Sequence, residues 1–371
     1  MTRLEIKFGN WQSRLLLGSV AYQQPILAGT FPAPVMAFLR WYERALLRPD
    51  IRECRVDRPI FLLGLPRSGT TMLQDVLCRH PQIAFINNTM NRFPDVFCAT
   101  DHIRERLRLD FEVERYLADS VPVSPDGPSD ALSFWCEWFR MDPFSLEYRN
   151  LGPGDFSEAD RTRIHDTIRK VIWRNGGQRK RFFNKVIQCT TYIHALLDLF
   201  PDARLLYIIR DPRMTANSMV KLCRLEMEHQ REFKLHRIDP EKGEQFFIPY
   251  PRLPRLEEYG ASFGWDDLRT TAHIWQDVVD LVDETRGGLP YFHQVRYEDL
   301  LDNPENELGR ILEFCELSNV PLDNEYYWGK VRKIGTIHHE RSYGDFDIVE
   351  QICHEGMKRH GYRRERTKCA G

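Results

Sequence analysis

Residues 58–81 read RPIFLLGLPRSGTTMLQDVLCRHP, and this stretch decides the fold. Its apolar run from Ile60 to Leu63 is uninterrupted, which predicts a strand buried on both faces. Apolar residues then recur at helical spacing after a short turn: Met72, Leu73, Val76 and Leu77. Pro81 ends the predicted helix. The stretch therefore predicts a buried strand, a tight glycine-containing turn and an amphipathic helix.

The turn between this strand and helix is a candidate anion site. Free N–H groups and the helix dipole both favour a bound phosphate at such a place. The turn approaches the GxxxxGK[ST] pattern through Gly64, Gly69 and Thr71, but Thr70 occupies the lysine position. Arg67 supplies a cation three positions earlier. A tight structural turn with a surface arginine is the alternative interpretation.

The composition indicates a globular chain without a bulk charge. Of 371 residues, 42% are hydrophobic and 29% are charged, and the formal net charge is −2. This balance does not favour nucleic acid as a partner. Nine cysteines lie at irregular spacings with no C-x-x-C pair, which predicts neither a zinc site nor a disulfide framework. Free thiols, no signal-peptide pattern and no bilayer-length apolar run lead us to expect a cytoplasmic protein without a transmembrane segment.

Two motifs resemble those of the sulfotransferases, which use 3′-phosphoadenosine-5′-phosphosulfate (PAPS). The string P-R-S-G-T-T at 66–71 resembles the family's 5′-phosphosulfate loop. Residues 200–222, FPDARLLYIIRDPRMTANSMVKL, resemble its 3′-phosphate element, in which an arginine at a strand end and a serine eight residues later bind the phosphate. Arg210 and Ser218 have that spacing. The resemblance implies PAPS as donor and adenosine 3′,5′-bisphosphate as product.

The resemblance also assigns roles to individual residues. The implied cofactor-binding residues are Arg67, Ser68, Gly69, Thr70, Thr71, Arg210, Ser218, Arg332 and Lys333. Lys185, on a strand predicted over 182–187, takes the place of a lysine that contacts the leaving phosphate; a solvated strand residue is the alternative. No metal is expected, because an arginine rather than a magnesium-binding acid follows the strand predicted over 204–209. Residues 296–314 resemble a late Y-E-D-L element with a structural role.

The chain departs from the family at both familiar base positions. Residues 87–92, NNTMNR, stand where tyrosylprotein sulfotransferases carry a catalytic glutamate, and Ile187 stands where cytosolic members carry a histidine. Asparagine cannot accept a proton as a base. Asp126-Gly127-Pro128-Ser129-Asp130 resembles an acidic segment of bacterial members. We therefore assign the catalytic base to Asp130 before Asp126, with His102 as the alternative.

The resemblance implies an α/β fold, a three-layer sandwich around a parallel sheet of the P-loop-NTPase-like sulfotransferase type. Ligands of such sheets bind at the carboxyl ends of strands, so two distant anion-binding elements can converge on one nucleotide. We predict an N-terminal helical layer at 1–57 and a sulfotransferase domain at 58–371, with substrate-side insertions at about 87–150 and 223–264. The second insertion is interpreted as a turn-rich substrate lid, with a homodimer contact as the alternative.

Two apolar regions bear on the acceptor. Aromatic pairs at helical spacing, Phe134 with Trp138 and Trp135 with Phe139, form either core or a substrate-pocket wall. In the N-terminal layer, an apolar stripe at helical spacing favours packing on the domain: Phe38, Leu39, Tyr42, Ala45 and Leu46. A peripheral membrane or acyl-chain contact is the alternative, because the layer is rich in large apolar groups, including Trp11 and Trp41.

These observations predict sulfuryl transfer to a hydroxyl or amine of a small-molecule or lipid-like acceptor, such as a natural product. A P-loop kinase or nucleotide hydrolase is one alternative, against which Thr70 in the lysine position argues. A non-catalytic nucleotide-binding protein is the other, because both familiar base positions are empty.

Overall fold

The computed structural model describes residues 29–109, 112–114, 122–177, 180–185, 187–241, 243–319 and 343–363. Its strands are β1 (Ile60–Gly64), β2 (Ile83–Phe85), β3 (Val113–Glu114), β4 (Pro122–Val123), β5 (Arg181–Lys185), β6 (Arg204–Ile209), β7 (Arg237–Asp239), β8 (Gly243–Gln245) and β9 (Phe292–Arg296). Its helices are α1 (Ala33–Tyr42), α2 (Thr70–Leu77), α3 (Asn88–Arg92), α4 (Phe97–Arg106), α5 (Leu132–Trp138), α6 (Glu158–Arg174), α7 (Ile193–Leu199), α8 (Pro212–Glu232), α9 (Leu256–Phe263), α10 (Leu268–Arg286), α11 (Tyr297–Asp302), α12 (Pro304–Phe314), α13 (Phe346–Ile352) and α14 (His354–Arg359). A π-helical turn, Glu43–Leu47, continues α1, and a 3-10 turn, Pro94–Val96, precedes α4.

The central sheet has five parallel strands in the order β2-β5-β1-β6-β9. β1 lies in the middle, with Ile60 opposite Phe183 of β5 and Arg204 of β6. Because the strands are parallel, the carboxyl ends of β1, β5 and β6 lie along one edge of the sheet. The predicted parallel α/β sheet is confirmed, and the ends of these three strands are where a ligand is expected.

The sheet is covered on both faces, as its apolar strands require. Ile60 and Leu62 of β1 belong to a core cluster with α2 and α12, whereas Phe61 and Leu63 belong to a second, larger cluster with α5 to α8 and α10. All four side chains are fully buried. Alternate residues of one strand therefore point into two separate cores, which is the predicted three-layer arrangement.

The paired aromatic residues of α5 are core residues. Phe134, Trp135, Trp138 and Phe139 are at most 2% exposed. The Trp135 ring meets Phe61 of β1 edge-on, with 5.9 Å between ring centroids. Its indole Nε1 donates to Oδ1 of Asn184 on β5 at 2.8 Å. Of the two interpretations of these stripes, core packing is correct.

The predicted turn-rich insertion at 223–264 is wrong at both ends, because α9 spans Leu256–Phe263 and α8 continues to Glu232. No proline follows Pro212 until Pro240, so nothing in the sequence ends the helix earlier. Gln230 then anchors the segment beyond the β7–β8 hairpin. Its side-chain amide exchanges hydrogen bonds of 2.8 and 2.9 Å with the backbone of Phe247.

Other predicted boundaries differ by a few residues. β6 begins and ends where predicted, but β5 ends at Lys185 instead of residue 187. The polar segment after β2 is the short helix α3, which Asn87 caps by accepting a 2.8 Å hydrogen bond from the Met90 N–H. A short polar side chain before a helix is a familiar capping signal, so sequence reasoning could have found this helix.

The described part of the N-terminal layer packs on the domain through one side of α1. Met36 and Leu39 are buried against Phe93, Val96 and Ala99. Trp11 lies outside the described residues. No helix in the described ranges has the length and apolar character needed to cross a membrane.

Candidate active site

The turn between β1 and α2 is tightly wound. Gly69, the residue before α2, has φ +99°, and Arg67 has φ +69°, in the left-handed region. The Ser68 hydroxyl donates to the Leu65 carbonyl at 2.7 Å, so this side chain stabilises the turn itself. Thr190 bonds to both the N–H and the carbonyl of Gly64 at 3.1 Å. These hydrogen bonds fix the loop just before α2. The first N–H groups of α2 have no intrahelical acceptor and are available to an anion.

The loop and the β6–α8 element meet at this edge of the sheet. Nε of Arg67 donates to Oγ of Ser218 at 3.0 Å. Nη1 of Arg210 donates to the Arg67 carbonyl oxygen at 3.0 Å. Two guanidinium groups and a hydroxyl, from segments more than 140 residues apart, are therefore joined at one place. The convergence predicted from the parallel sheet is present in the structure.

Tyr297, at the start of α11, lies between these two elements. The Arg210 guanidinium carbon is 4.4 Å from the centroid of the Tyr297 ring. The same ring packs so closely on Gly69 that a Cβ there would be 2.7 Å from Cε2 of Tyr297. Burial raises the pKa of the Tyr297 hydroxyl. The sequence assigned this segment only a structural role, and nothing in the Y-E-D-L pattern itself indicates a contact with the anion-binding residues.

Glu298, the next residue, stabilises the backbone just after β6. Its Oε1 accepts a 2.9 Å hydrogen bond from the Asp211 N–H, and its Oε2 accepts one of 3.0 Å from the Tyr362 hydroxyl. Asp211 in turn pairs with Arg213 at 2.6 Å. The Asp211 carboxylate is therefore paired with Arg213, and the backbone that follows Arg210 is held in place by this network.

Lys185, at the carboxyl end of β5, is buried and pairs with Asp130. Nζ of Lys185 lies 2.7 Å from Oδ1 of Asp130 and donates to Oγ1 of Thr71 at 2.9 Å. The Lys185 side chain is 3% exposed and that of Asp130 is 32% exposed. Lys185 is thus not a solvated strand residue. A cation, a carboxylate and the first turn of α2 lie next to one another.

The segment that carries Asp130 is fixed by the residue before it. The Ser129 carbonyl accepts hydrogen bonds from Gln74 of α2 at 3.0 Å and Asn184 of β5 at 3.1 Å. Ala131 then adopts φ +56°, which turns the chain into α5. Because both donors come from elements that flank the loop, the carboxylate is positioned by the same framework as the anion site.

The asparagines at the family's glutamate position are used for local structure. Asn87 caps α3 and donates to Oδ1 of Asp101 at 2.7 Å. Asn88 donates to the Ser124 carbonyl at 2.9 Å, and Oδ1 of Asn91 accepts from the Ser133 N–H at 3.0 Å. These contacts tie α3 to the acidic segment and to α5.

The remaining predicted site residues lie elsewhere. His102 is on α4, where its ring is 6.1 Å from that of Tyr42 and burial lowers its pKa. Within the described ranges no hydrogen bond or ion pair joins His102 to the loop or to Lys185. Asp126 is exposed. Arg332 and Lys333 lie outside the described residues, so their assignment stays a prediction.

A cavity of about 270 Å³ lies beside α5. Its lining includes Leu132, which follows Asp130 by two residues in the chain, and Gln188, which follows Lys185 by three. The other lining residues are apolar, polar and charged: Cys136, Arg140, Met141, Asp142, Pro143, Ser145, Glu147, Arg149, Tyr192, Phe247 and Arg252. Burial raises the pKa of Cys136 to about 12, so this group is a neutral thiol.

Arg252 forms a rigid part of the cavity wall. Its guanidinium donates to the carbonyls of Pro143, Ser145, Ile248 and Tyr250 at 2.7–3.1 Å. Burial lowers its pKa. These bonds join the loop after α5 to the segment before α9, so the cavity has a preformed wall.

Comparison with known proteins identifies the family. A model of the sulfotransferase family matches residues 59–248, slightly more than half of the chain. The chain belongs to the sulfotransferase family. This family member is 24% identical over 358 residues to the omega-hydroxy-beta-dihydromenaquinone-9 sulfotransferase Stf3 of Mycobacterium tuberculosis (strain CDC 1551 / Oshkosh), covering 90% of this chain and 83% of that protein.

More distant relatives agree with this assignment. Protein-tyrosine sulfotransferase A of Caenorhabditis elegans is 22% identical over 311 residues, which cover 82% of this sulfotransferase family member and 59% of the relative. The crystal structure of sulfotransferase STF9 from Mycobacterium avium has a TM-score of 0.51 at 17% identity, covering 86% of this chain and 81% of that one. The fold is therefore that of the sulfotransferases.

Proposed function

We propose that this protein transfers a sulfuryl group from PAPS to a hydroxyl or amine of a small-molecule or lipid-like acceptor. The observation that carries the proposal is the contact of Arg67 with Ser218 and Arg210 beside the N-terminus of α2. A nucleotide with phosphate groups at both its 5′ and 3′ positions needs two anion-binding elements, and these segments supply them. Arginine is suited to phosphate because its planar fork donates two parallel hydrogen bonds.

The chemistry requires charge stabilisation and one proton acceptor. PAPS would supply the sulfuryl group: the acceptor oxygen or nitrogen forms a bond to sulfur as the bond from sulfur to the phosphate oxygen breaks. Arg67, Lys185 and the first N–H groups of α2 stabilise the charge that develops on the leaving phosphate. Asp130 takes the proton of the acceptor. Because Asp130 lies beside Lys185, the proton would be removed next to the group that stabilises the leaving phosphate.

The cavity beside α5 is a candidate site for an acceptor with an apolar body and polar groups. Its wall combines apolar groups, such as Leu132 and Phe247, with polar and charged groups, such as Gln188 and Arg252. Such a mixture is typical of small-molecule sites. The relatives act on a menaquinone derivative and on protein tyrosine, as their names state. An aromatic or isoprenoid hydroxyl compound is accordingly the first class to screen.

The state of the cysteines supports a cytoplasmic location. Eight cysteines among the described residues are free thiols, seven of them buried. Free thiols are typical of a reducing compartment. We infer that the enzyme acts in the cytoplasm and needs no metal. Within the described ranges no three His, Cys, Asp or Glu side chains are grouped as a metal site would require, and the absence of a metal stays a prediction.

Adenosine 3′,5′-bisphosphate should raise the melting temperature of the protein more than ATP with magnesium does, because a ligand stabilises the folded state by mass action. Alanine at Arg210 should weaken its binding by about 1.5–3 kcal/mol, the value of a charged hydrogen bond. Adenosine 5′-phosphate should bind the wild type and the variant about equally. Calorimetric titration of both nucleotides measures these differences.

Arg231→Ala is the matched control, because Arg231 is an exposed arginine on the same helix as Ser218. Equal affinity of the wild type for nucleotides with and without the 3′-phosphate would contradict the assignment of Arg210 and Ser218. A larger stabilisation by ATP with magnesium would favour the kinase or hydrolase alternative instead.

Asparagine at Asp130 should lower kcat by a factor of about 10²–10⁴, the usual contribution of a general base. Asparagine keeps the shape of the side chain but cannot accept the proton. Binding of adenosine 3′,5′-bisphosphate should change little. The measurement is turnover with saturating PAPS and a quinol or phenol acceptor, together with nucleotide titration.

His102→Ala is the companion variant and should retain wild-type turnover, because His102 contacts Tyr42 on α1. Loss of turnover in His102→Ala alone would transfer the base role to His102. If both variants turn over like the wild type, neither residue is the base.

A further inference from the structure

One side of α1 exposes large apolar groups. Val35, Phe38 and Trp41 are 41%, 52% and 53% exposed, and Leu46 in the following turn is 59% exposed. We call these four residues the outer face of α1. The rings of Phe38 and Trp41 are 5.8 Å apart, so the two largest groups form one aromatic patch. Large exposed apolar patches are uncommon on protein surfaces and mark contact sites.

Packing on the domain does not use these side chains. Met36 and Leu39, on the other side of the helix, make the contact with Phe93, Val96 and Ala99. Glu43 also points inward, toward the Ala99 N–H at 3.3 Å and Nζ of Lys170 at 3.5 Å. The helix is thus anchored by one side, and the outer face is directed away from the core.

The exposed charged side chains of α1 and the turn after it are positive. Between residues 33 and 48 the charged side chains are Arg40, Glu43, Arg44 and Arg48. The three arginines are exposed, whereas Glu43 is buried. Arg40 approaches Asp95 only at 3.7 Å, with both side chains more than half exposed, so this ion pair is weak. The region is therefore locally cationic in a chain whose formal net charge is −2.

We propose that the outer face of α1 docks the protein on an anionic lipid surface. Interfacial helices combine tryptophan, phenylalanine and leucine on one side with arginine or lysine at its borders. The apolar groups enter the boundary of headgroups and acyl chains. The flexible arginine side chains reach the phosphates of anionic lipids. This combination of exposed aromatic side chains and exposed positive charge matches a bilayer surface.

The docking surface is connected to the acceptor side of the candidate active site. α1 packs on α4, and Asp101 of α4 accepts a 2.7 Å hydrogen bond from Asn87. Asn88 and Ser129 then link α3 and the end of β2 to the segment that carries Asp130. A membrane at the outer face would hold the protein where a lipid-like acceptor is dissolved, although the docking itself does not depend on the reaction.

Flotation of the full chain with lipid vesicles tests the proposal. The protein should float with vesicles of phosphatidylcholine and phosphatidylglycerol, and less with phosphatidylcholine alone. Phe38→Ser with Trp41→Ser should weaken partitioning by about tenfold or more, as expected for losing two buried aromatic groups. Arg44→Gln with Arg48→Gln should weaken binding to the anionic vesicles alone. Ile238→Ser, at an apolar residue 74% exposed on β7, is the matched control and should float like the wild type.

Three outcomes would overturn the proposal. One is equal flotation of the wild type and the Phe38→Ser/Trp41→Ser variant. Another is a dimer by light scattering that this variant dissociates, which would assign the face to a second copy of the chain. The third is a lower melting temperature of the variant with unchanged flotation, which would mean that the face is covered by the chain itself. Each variant is also titrated with adenosine 3′,5′-bisphosphate. Unchanged nucleotide binding in a variant that no longer floats would show that docking and the proposed nucleotide site are independent.

Discussion

Alanine at Arg67 is expected to lower kcat by a factor of about 10²–10³, the usual effect of removing one group that stabilises developing charge. The guanidinium lies at the meeting point of the loop and α8, where Nε donates to Ser218. Its removal takes away a cation beside the leaving phosphate. It also releases the Ser218 hydroxyl, so nucleotide affinity should fall as well. Single-turnover rates and nucleotide titration separate the two effects.

The backbone conformation of Arg67 determines which variants are suitable controls. Arg67 has φ +69°, and alanine would keep that conformation at a similar cost. Glycine would adopt it more easily, so Arg67→Gly should be at least as stable as Arg67→Ala and should lose kcat by a similar factor. Arg108→Ala, at an exposed arginine with φ +49°, should retain full activity. Wild-type turnover in Arg67→Gly would show that the loop backbone, without this side chain, is sufficient.

The part of the site that depends on local sequence could be predicted. The apolar run of β1 and the helical spacing of α2 depend only on neighbouring residues, and both elements form where the pattern indicates. The convergence of Arg67 with Arg210 and Ser218 follows from the parallel order of β1 and β6, because adjacent parallel strands end at the same edge. The expectation of a parallel sheet was therefore sufficient to predict that these residues lie close together.

The contacts that the sequence did not reveal depend on details of the backbone. Lys185 and Asp130 are 55 residues apart, and their pairing requires the two hydrogen bonds to the Ser129 carbonyl and the left-handed Ala131. Tyr297 reaches Gly69 only because α11 begins directly after β9. Neither contact leaves a periodic or compositional signal. The motifs therefore predict the loop and the two arginines, whereas the contacts of Asp130 and Tyr297 become visible only in the structure.

On the acceptor side, too, the contacts of the residues could not be predicted from the sequence motif. Asn87 caps α3, and Asn87 and Asn88 join α3 to its neighbours. This use explains how the segment remains folded without an acid. Asp130 is the carboxylate that pairs with Lys185.

Alanine at Gly69 is expected to destabilise the loop strongly. Its Cβ would be 2.7 Å from Cε2 of Tyr297 and 3.3 Å from Cδ1 of Ile208, and it would also collide with Cδ2 of Tyr297. Tyr297 is buried, so its ring must move, and the contact with Arg210 is lost. We expect about 2–5 kcal/mol of destabilisation, from the backbone strain together with overpacking. Nucleotide affinity should fall with it.

Gly154→Ala separates the collision from the backbone strain. Gly154 has φ +95°, close to the +99° of Gly69, but a Cβ there would meet nothing within 4 Å. Its substitution should cost only about 1–2 kcal/mol and leave nucleotide binding unchanged. In a Tyr297→Ala background, which removes the ring, Gly69→Ala should cost no more than Gly154→Ala does. Denaturant unfolding of the wild type, Gly69→Ala, Tyr297→Ala and the double variant forms a double-mutant cycle, with Gly154→Ala as the reference for backbone strain. Additive effects of Gly69→Ala and Tyr297→Ala would show that the ring does not set the position of the loop.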